Sequence, residues 1–129
     1  MIVGPSGSGK SALALTLMAF GAQLVADDRT RLWVTGQPAR VWADAPPGLP
    51  ALIEARGVGL LPAHRCGPVP LAAVADMGLH EPARLPEPRF ADILGQNVAL
   101  FHGAENAHFA YALLQYLGTG VPSGETHEQ

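Results

Sequence analysis

Residues 31–44 read RLWVTGQPARVWAD, and the folding of this stretch decides the architecture. Two runs of β-forming residues, Arg31–Val34 and Ala39–Trp42, flank Thr35-Gly36-Gln37-Pro38. Gly supplies a positive φ and Pro a fixed one, so the four central residues are turn chemistry and the whole predicts a β-hairpin. A doubly wound parallel sheet alternates strand with helix and has no place for a hairpin here. The expectation is an α/β fold built on a mixed sheet with antiparallel neighbours and flanking helices. Trp33 and Trp42 fall opposite each other in such a hairpin, where core packing is favoured over a base-stacking platform.

Upstream, Met1-Ile2-Val3 reads as the end of a strand, short against the usual length of about five residues, so the chain is expected to begin within that element. Lys10–Phe20 predicts a helix with Leu13, Leu17 and Phe20 on one face, stopped by Gly21. Gln23–Ala26 reads as a short apolar strand ending in Asp27-Asp28. Downstream, the prolines and Gly48 of residues 45–62 mark a loop, with Leu49–Ile53 as one helical turn. Gly57 and Gly59 around Val58 indicate unusual φ angles or a close backbone approach. VPLAAVADMG, residues 69–78, reads as a buried strand, with a short helix as the alternative. Residues 80–92 are polar and proline-rich, a surface crossing, and Val98–Phe101 is a short strand. Glu105–Leu117 predicts a second helix with Phe109, Ala110, Leu113, Leu114 and Leu117 as its apolar face, ended by Gly118. Residues 1–118 are expected to form one domain and 119–129 a loose tail.

The chain has 129 residues, 48% of them hydrophobic, and a net charge of −3. That length fits one core, and that charge gives no footprint for a nucleic-acid backbone. No stretch is long and apolar enough to suggest a membrane span, so neither nucleic acid nor membrane is an expected partner. Cys66 is the only cysteine, which excludes an internal disulfide, and a cytoplasmic location is the expectation. Arg65 and His64 beside it raise the question of a catalytic thiol, but a spectator in a proline-rich loop is the favoured reading. The five histidines show no metal-ligand spacing. Seven of the eight basic residues are Arg; the single Lys is Lys10.

Lys10 lies in GPSGSGKS: Gly4, Pro5, Ser6, Gly7, Ser8, Gly9, Lys10 and Ser11. This is a complete Walker A pattern at a strand-to-helix junction. The glycines let the backbone curl so that N–H groups converge on phosphate oxygens, and the following helix adds its positive end. Lys10 can reach the β- and γ-phosphates and Ser11 can ligate Mg²⁺. The expected ligands are ATP and Mg²⁺. Transfer also needs a carboxylate base or metal ligand. Asp27-Asp28 and Glu54 are the candidates. In an alternating strand Asp27 and Asp28 would point to opposite faces and serve two jobs. Ordinary turn formers for the pair, and a surface ion pair of Glu54 with Arg56, are the alternatives.

Three blocks, GPSGSGKSALAL, GAQLVADDRTRL and LIEARGVGLL, in this order and spacing resemble the catalytic domain of HPr kinase/phosphorylase in its short proteobacterial form. The resemblance covers residues 1–80 well and continues loosely to about residue 101. It implies a P-loop fold of the phosphoenolpyruvate carboxykinase-like type and an ATP-dependent serine kinase. The implied substrate is an HPr-like phosphocarrier of the sugar phosphotransferase system, with reverse phosphorolysis in some members and assembly as a homo-hexamer. Carried over by position, Asp28 matches the proton acceptor for the substrate serine, and Asp27 stands beside the metal. Ser11 and Glu54 match metal ligands, and Arg56, Gly57 and Gly59 match the signature loop. Ala12 replaces an acidic residue of the family pattern. The family's upstream His has no counterpart here, and Arg84 and Arg89 are not assigned to its C-terminal arginine segment. The alternative functions are a non-catalytic ATP/ADP-binding regulatory module of the same fold and a small-molecule kinase. The usual Arg-bearing helical lid of the latter is not evident.

Overall fold

The structure, a computed structural model, describes residues 1–104 and 108–119. The chain enters as β1 (Ile2–Val3), turns through the glycine-rich loop and continues as α1 (Lys10–Ala19). Leu13 and Leu17, one helical turn apart, face the core. α1 closes with both hydrogen bonds of a Schellman motif. Ala22 N donates to Leu17 O and Gly21 N to Met18 O, each at 3.1 Å, with Gly21 at φ +103°.

The hairpin forms as β2 (Arg31–Thr35) and β3 (Arg40–Asp44), with Trp33 opposite Trp42. A second hairpin joins β4 (Leu52–Ala55) to β5 (Gly59–Pro62). Then come β6 (Val69–Pro70), β7 (Ala73–His80), β8 (Arg89–Ile93), β9 (Gln96–Gly103) and α2 (His108–Thr119). Among the described residues the strands make three sheets. The main one runs β1-β7-β9-β8, parallel except for the β8–β9 hairpin; β2-β3-β6 is antiparallel, and β4-β5 stands as a pair. The expected mixed sheet is therefore present, but the RLWVTGQPARVWAD hairpin belongs to a separate layer.

Side-chain alternation along the strands divides the core. Ala75 faces α1 and α2, packing with Leu13, Ala110 and Leu113, and with Ile2 and Phe101 at the margin. Val74 faces the other way, against Val41 of β3 and Val98 of β9. Both helices lie on one face of the main sheet and the β2-β3-β6 layer covers the other.

Several local expectations are corrected. Gln23–Ala26 is not a strand: it contributes one parallel bridge, Leu24 with Arg65. Leu49–Ile53 is not a helical turn, because Leu52–Ala55 alternates, with Ile53 and Ala55 buried and Glu54 exposed, and pairs with β5. Arg56-Gly57-Val58 is its turn; Gly57 and Gly59 have φ of +84° and +131°, but a Cβ on either would meet nothing within 4 Å. Residues 69–78 divide between two sheets, β6 and β7. The surface crossing ends earlier, since Arg89–Ile93 is a strand, and β9 extends beyond both ends of Val98–Phe101. Phe20 lies at the C-cap of α1, 60% exposed, its ring edge-on to Tyr111. α2 runs through Gly118 to Thr119, and Leu117 is 52% exposed. The expected helix start at Glu105 and the tail residues 120–129 lie outside the described residues. Trp33 and Trp42 stand on the hairpin face opposite buried Val41 and Ala43, so they are half-buried outside the core. The Arg31 guanidinium lies 4.7 Å from the Trp33 ring centre, a cation–π contact.

Candidate functional site

Gly4–Ser11 forms the bend between β1 and α1 at the carboxyl ends of the parallel strands, where open α/β sheets bind ligands. Gly4, Gly7 and Gly9 have φ of +145°, +82° and +97°. Gly9 is the N-cap of α1 in the left-handed region; no side chain caps the helix, and no acidic residue occupies its first turn. The first N–H groups of α1 thus have no side-chain acceptor, and the helix dipole is not offset by a carboxylate.

The loop is tightly seated at its root. A Cβ on Gly4 would lie 2.7 Å from Ser8 Oγ and 3.0 Å from Gly78 N. Ser8 Oγ is the one buried side-chain polar atom among the described residues without a hydrogen-bond partner. Lys10 Nζ donates to Gly4 O at 2.7 Å and Pro5 O at 3.0 Å, which holds the ammonium over the loop. An orphaned hydroxyl, an uncapped helix and a cation at one curl of backbone fit the phosphate chain of a nucleotide. Ser11, exposed in the first turn of α1, stands where a hydroxyl could join a Mg²⁺ shell.

Asp27 and Asp28 do not sit on a strand with opposed side chains. Asp28 has φ +66°, and Arg29 N donates to Asp27 O at 2.6 Å across it, so the chain turns sharply there. Both residues line one hollow of about 180 Å³, shared with Arg29, Leu49, Leu52 and Arg65. A non-glycine residue in the left-handed region costs about 1–2 kcal/mol, and such strain concentrates at functional sites. Arg65 Nη1 donates to Leu49 O at 2.7 Å and ties the loop before β4 to the rim. None of Gly4–Ser11 lines this hollow. Glu54 is exposed on β4, the strand that packs beside α1. Among the described residues no three His, Cys, Asp or Glu side chains gather to hold a metal. Mg²⁺ does not require such a cage: it usually takes one or two carboxylates, substrate phosphates and waters.

Sequence reading passed over Asp76. It lies midway along β7, the last residue before the ladder with β9 is interrupted, in register with Val3 on one side and His102 on the other. Its signal was an acid ending an apolar run ahead of a glycine. Beyond it, Glu81 accepts a hydrogen bond and ion pair from Arg89. The Arg89 contact, aided by the Ala83 N–H, holds the Glu81 carboxyl below the usual range. No helix among the described residues is long and apolar enough to cross a membrane.

Comparison with known proteins places this geometry. A family model described as the HPr Serine kinase C-terminal domain matches residues 1–66. The HPr kinase/phosphorylase of Nitrosomonas europaea is 48% identical over 61 residues, which are 47% of this chain and 19% of that protein. Its counterpart in Levilactobacillus brevis is 44% identical over 61 residues, again 47% of this chain and 19% of that protein. The chain thus spans about a fifth of the length of the curated relatives it matches. The structure of the Hpr(Ser) kinase/phosphatase from Coxiella burnetii superposes with a TM-score of 0.63 at 22% identity, covering 90% of this chain and 77% of that one. At that identity the likeness speaks to the fold, an α/β arrangement with a mixed sheet and few helices. With the family model matching just over half of its residues, the chain belongs to the HPr serine kinase C-terminal domain family.

Proposed function

We propose that this chain is the nucleotide-binding and phosphoryl-transfer part of an ATP-dependent protein serine kinase whose substrate is an HPr-like phosphocarrier. The observation that carries the reading is the Gly4–Ser11 loop: an uncapped helix start, an unpartnered Ser8 hydroxyl and Lys10 held over the loop, in a chain of this family. The names of the relatives support the substrate class.

In this reading the loop N–H groups hold the phosphates, and Lys10 leaves its carbonyl partners to neutralise charge on the transferring group. Asp28 accepts the proton of the substrate serine as that oxygen bonds to the γ-phosphorus and the bond to ADP breaks. Asp27 positions the acceptor side. Ser11 and Glu54 would hold Mg²⁺, whose positive charge when bound would offset that of the phosphates. Arg56 and the Gly57–Gly59 turn would border that side. The whole protein is proposed to assemble as a homo-oligomer, a hexamer by resemblance, in the cytoplasm.

The test is transfer of label from γ-labelled ATP with Mg²⁺ to an HPr-type carrier, with Lys10→Ala and Asp28→Asn alongside. Serine labelling lost in both variants supports the kinase. Nucleotide binding through Lys10 with no labelling supports the regulatory module instead. Incubation of the phosphoserine carrier with inorganic phosphate asks separately about the reverse reaction.

A further inference from the structure

The strand beside the loop is not a passive wall. β7 pairs with β9 as far as Asp76 and His102; the next pair is His80 with Gly103, so Met77, Gly78 and Leu79 leave the ladder as a bulge. Bulges re-aim the chain and recur near functional sites. This one lies against the root of the glycine-rich loop and comes near its far end. A Cβ on Gly78 would lie 2.9 Å from Pro5 Cδ, and one on Gly4 would lie 3.0 Å from Gly78 N and 3.3 Å from the Met77 carbonyl carbon. At the far end, Met77 Cε lies 4.0 Å from the Cβ position of Gly9. One side chain pins the bulge: Asp76 Oδ1 accepts a hydrogen bond from Gly78 N at 2.9 Å.

We infer that Asp76 is a positioning residue for the phosphate loop: its carboxylate holds the Met77–Gly78 bulge in the shape on which Gly4 and Pro5 rest. The inference rests on the reading of Gly4–Ser11 as a nucleotide site. A fan of N–H groups binds phosphate best when it is already aimed, and the bulge is the surface that aims it. Without the Asp76 acceptor, Gly78 N–H loses its partner and the root of the loop loses its support. This role needs an oxygen at the Oδ1 position and does not need a negative charge. A carboxylate acting on a metal or its waters needs the charge. Asparagine separates the two, because it keeps the acceptor and drops the charge.

The same sheet provides a matched control. Asp92 Oδ1 accepts from Gly95 N at 2.8 Å in the β8–β9 turn, the same type of bond away from the loop. The experiment is calorimetric titration of the full chain with ADP and ATP, with and without Mg²⁺. It compares wild type with Lys10→Ala, Asp76→Ala, Asp76→Asn, Gly78→Ala and Asp92→Ala, and records a melting temperature for each. Asp76→Ala is expected to weaken nucleotide binding about tenfold, the worth of one hydrogen bond to a positioned group. Asp76→Asn is expected to stay within about twofold of wild type, since its oxygen still accepts. Gly78→Ala should weaken binding through its clash with Pro5. Asp92→Ala should lower the melting temperature and leave affinity unchanged.

Wild-type affinity in Asp76→Ala overturns the inference. So does an Asp76→Asn variant as weak as the alanine, which would assign Asp76 a charge-dependent role. If Asp76→Ala does not fold, Gly78→Ala decides, and unchanged affinity there overturns the inference. Failure of the nucleotide reading has its own signature. A wild-type chain that binds no nucleotide, or a Lys10→Ala variant that binds it as wild type does, removes that reading and this inference together.

Discussion

Lys10 Nζ stands 2.7 Å from the carbonyl oxygen of Gly4, so the lysine that ends the glycine-rich loop is bonded to the residue that begins it. In the proposed nucleotide site, phosphate would compete for this ammonium against two neutral carbonyls, and the charged acceptor makes the stronger bond. Lys10→Met is therefore expected to cost the ligand-free chain no more than about 1 kcal/mol, because the bonds it loses are partly exposed. The same change should abolish the rise in melting temperature that saturating Mg-ATP gives by linkage, which for wild type is about 2.7 kcal/mol at a hundred times Kd. Thermal melts with and without nucleotide check both halves.

Asp28 is expected to trade stability for function. Its φ of +66° suits glycine better than aspartate. Asp28→Gly should raise stability by about 0.4–1 kcal/mol if relief of strain outweighs the freedom glycine gives the unfolded chain. The same variant should lower phosphoryl transfer by about 10²–10⁴-fold, the usual worth of a general base. Asp28→Asn tolerates the same backbone, so it should lose transfer with little change in melting temperature. Denaturant melts set beside labelling rates provide the check. A variant that keeps transfer would remove Asp28 from its proposed role.

The Glu81–Arg89 pair sets a pH dependence of known sign. The Glu81 carboxyl is held below its usual range in the folded chain, chiefly by Arg89. Its contribution is complete above the ordinary glutamate value and is lost as pH falls through the lower folded-state value. Glu81→Gln should therefore melt below wild type at neutral pH and approach it as acid is added. The pair is close to solvent, so the difference should be small and should shrink with salt. A gap that widens on acidification would contradict the assignment.

Leu94 occupies the first central position of the β8–β9 turn at φ +52°, followed by Gly95 at +84°, and is 60% exposed. A two-residue turn with both φ positive favours Asn-Gly. Leu94→Asn removes strain and sacrifices little burial. It is expected to stabilise by about 0.5–1 kcal/mol and raise the melting temperature by a few degrees without changing nucleotide affinity.

What the sequence made legible is what neighbours along the chain determine. The loop, α1 and the Trp33–Trp42 pairing follow from spacing within a dozen residues or so. The β4–β5 hairpin was also written locally, since Leu52-Ile53-Glu54-Ala55 alternates, but the prolines around it masked the period. β8 was hidden because Pro82, Pro86 and Pro88 precede it and its turn is Leu-Gly rather than Asn-Gly. Asp76 was illegible for a deeper reason. Its meaning arises only when β7 aligns beside β1 and sets Asp76 against Val3, which no local pattern announces. The Asp27–Asp28 pair was legible from residue type and position, with its roles added by resemblance, but its backbone was misjudged because one residue at positive φ overrode the apolar run before it.

The parallel bridge at Leu24 carries a consequence for how the chain comes together. Leu24 N donates to His64 O and Cys66 N donates to Leu24 O, and these bonds set the course of the segment that leads to Asp28. The bridge is a lone pair outside any sheet, whereas Ala75 sits in a strand paired on both sides. A segment held by so few bonds opens at low cost, so the Asp27–Asp28 turn is expected to open before the main sheet. Hydrogen exchange checks this directly: the Leu24 and Cys66 amides should exchange well before that of Ala75 in the main sheet. In the proposed kinase, access to Asp28 would then follow a small local opening and closing at the Leu24 bridge, separate from the sheet that seats the glycine-rich loop.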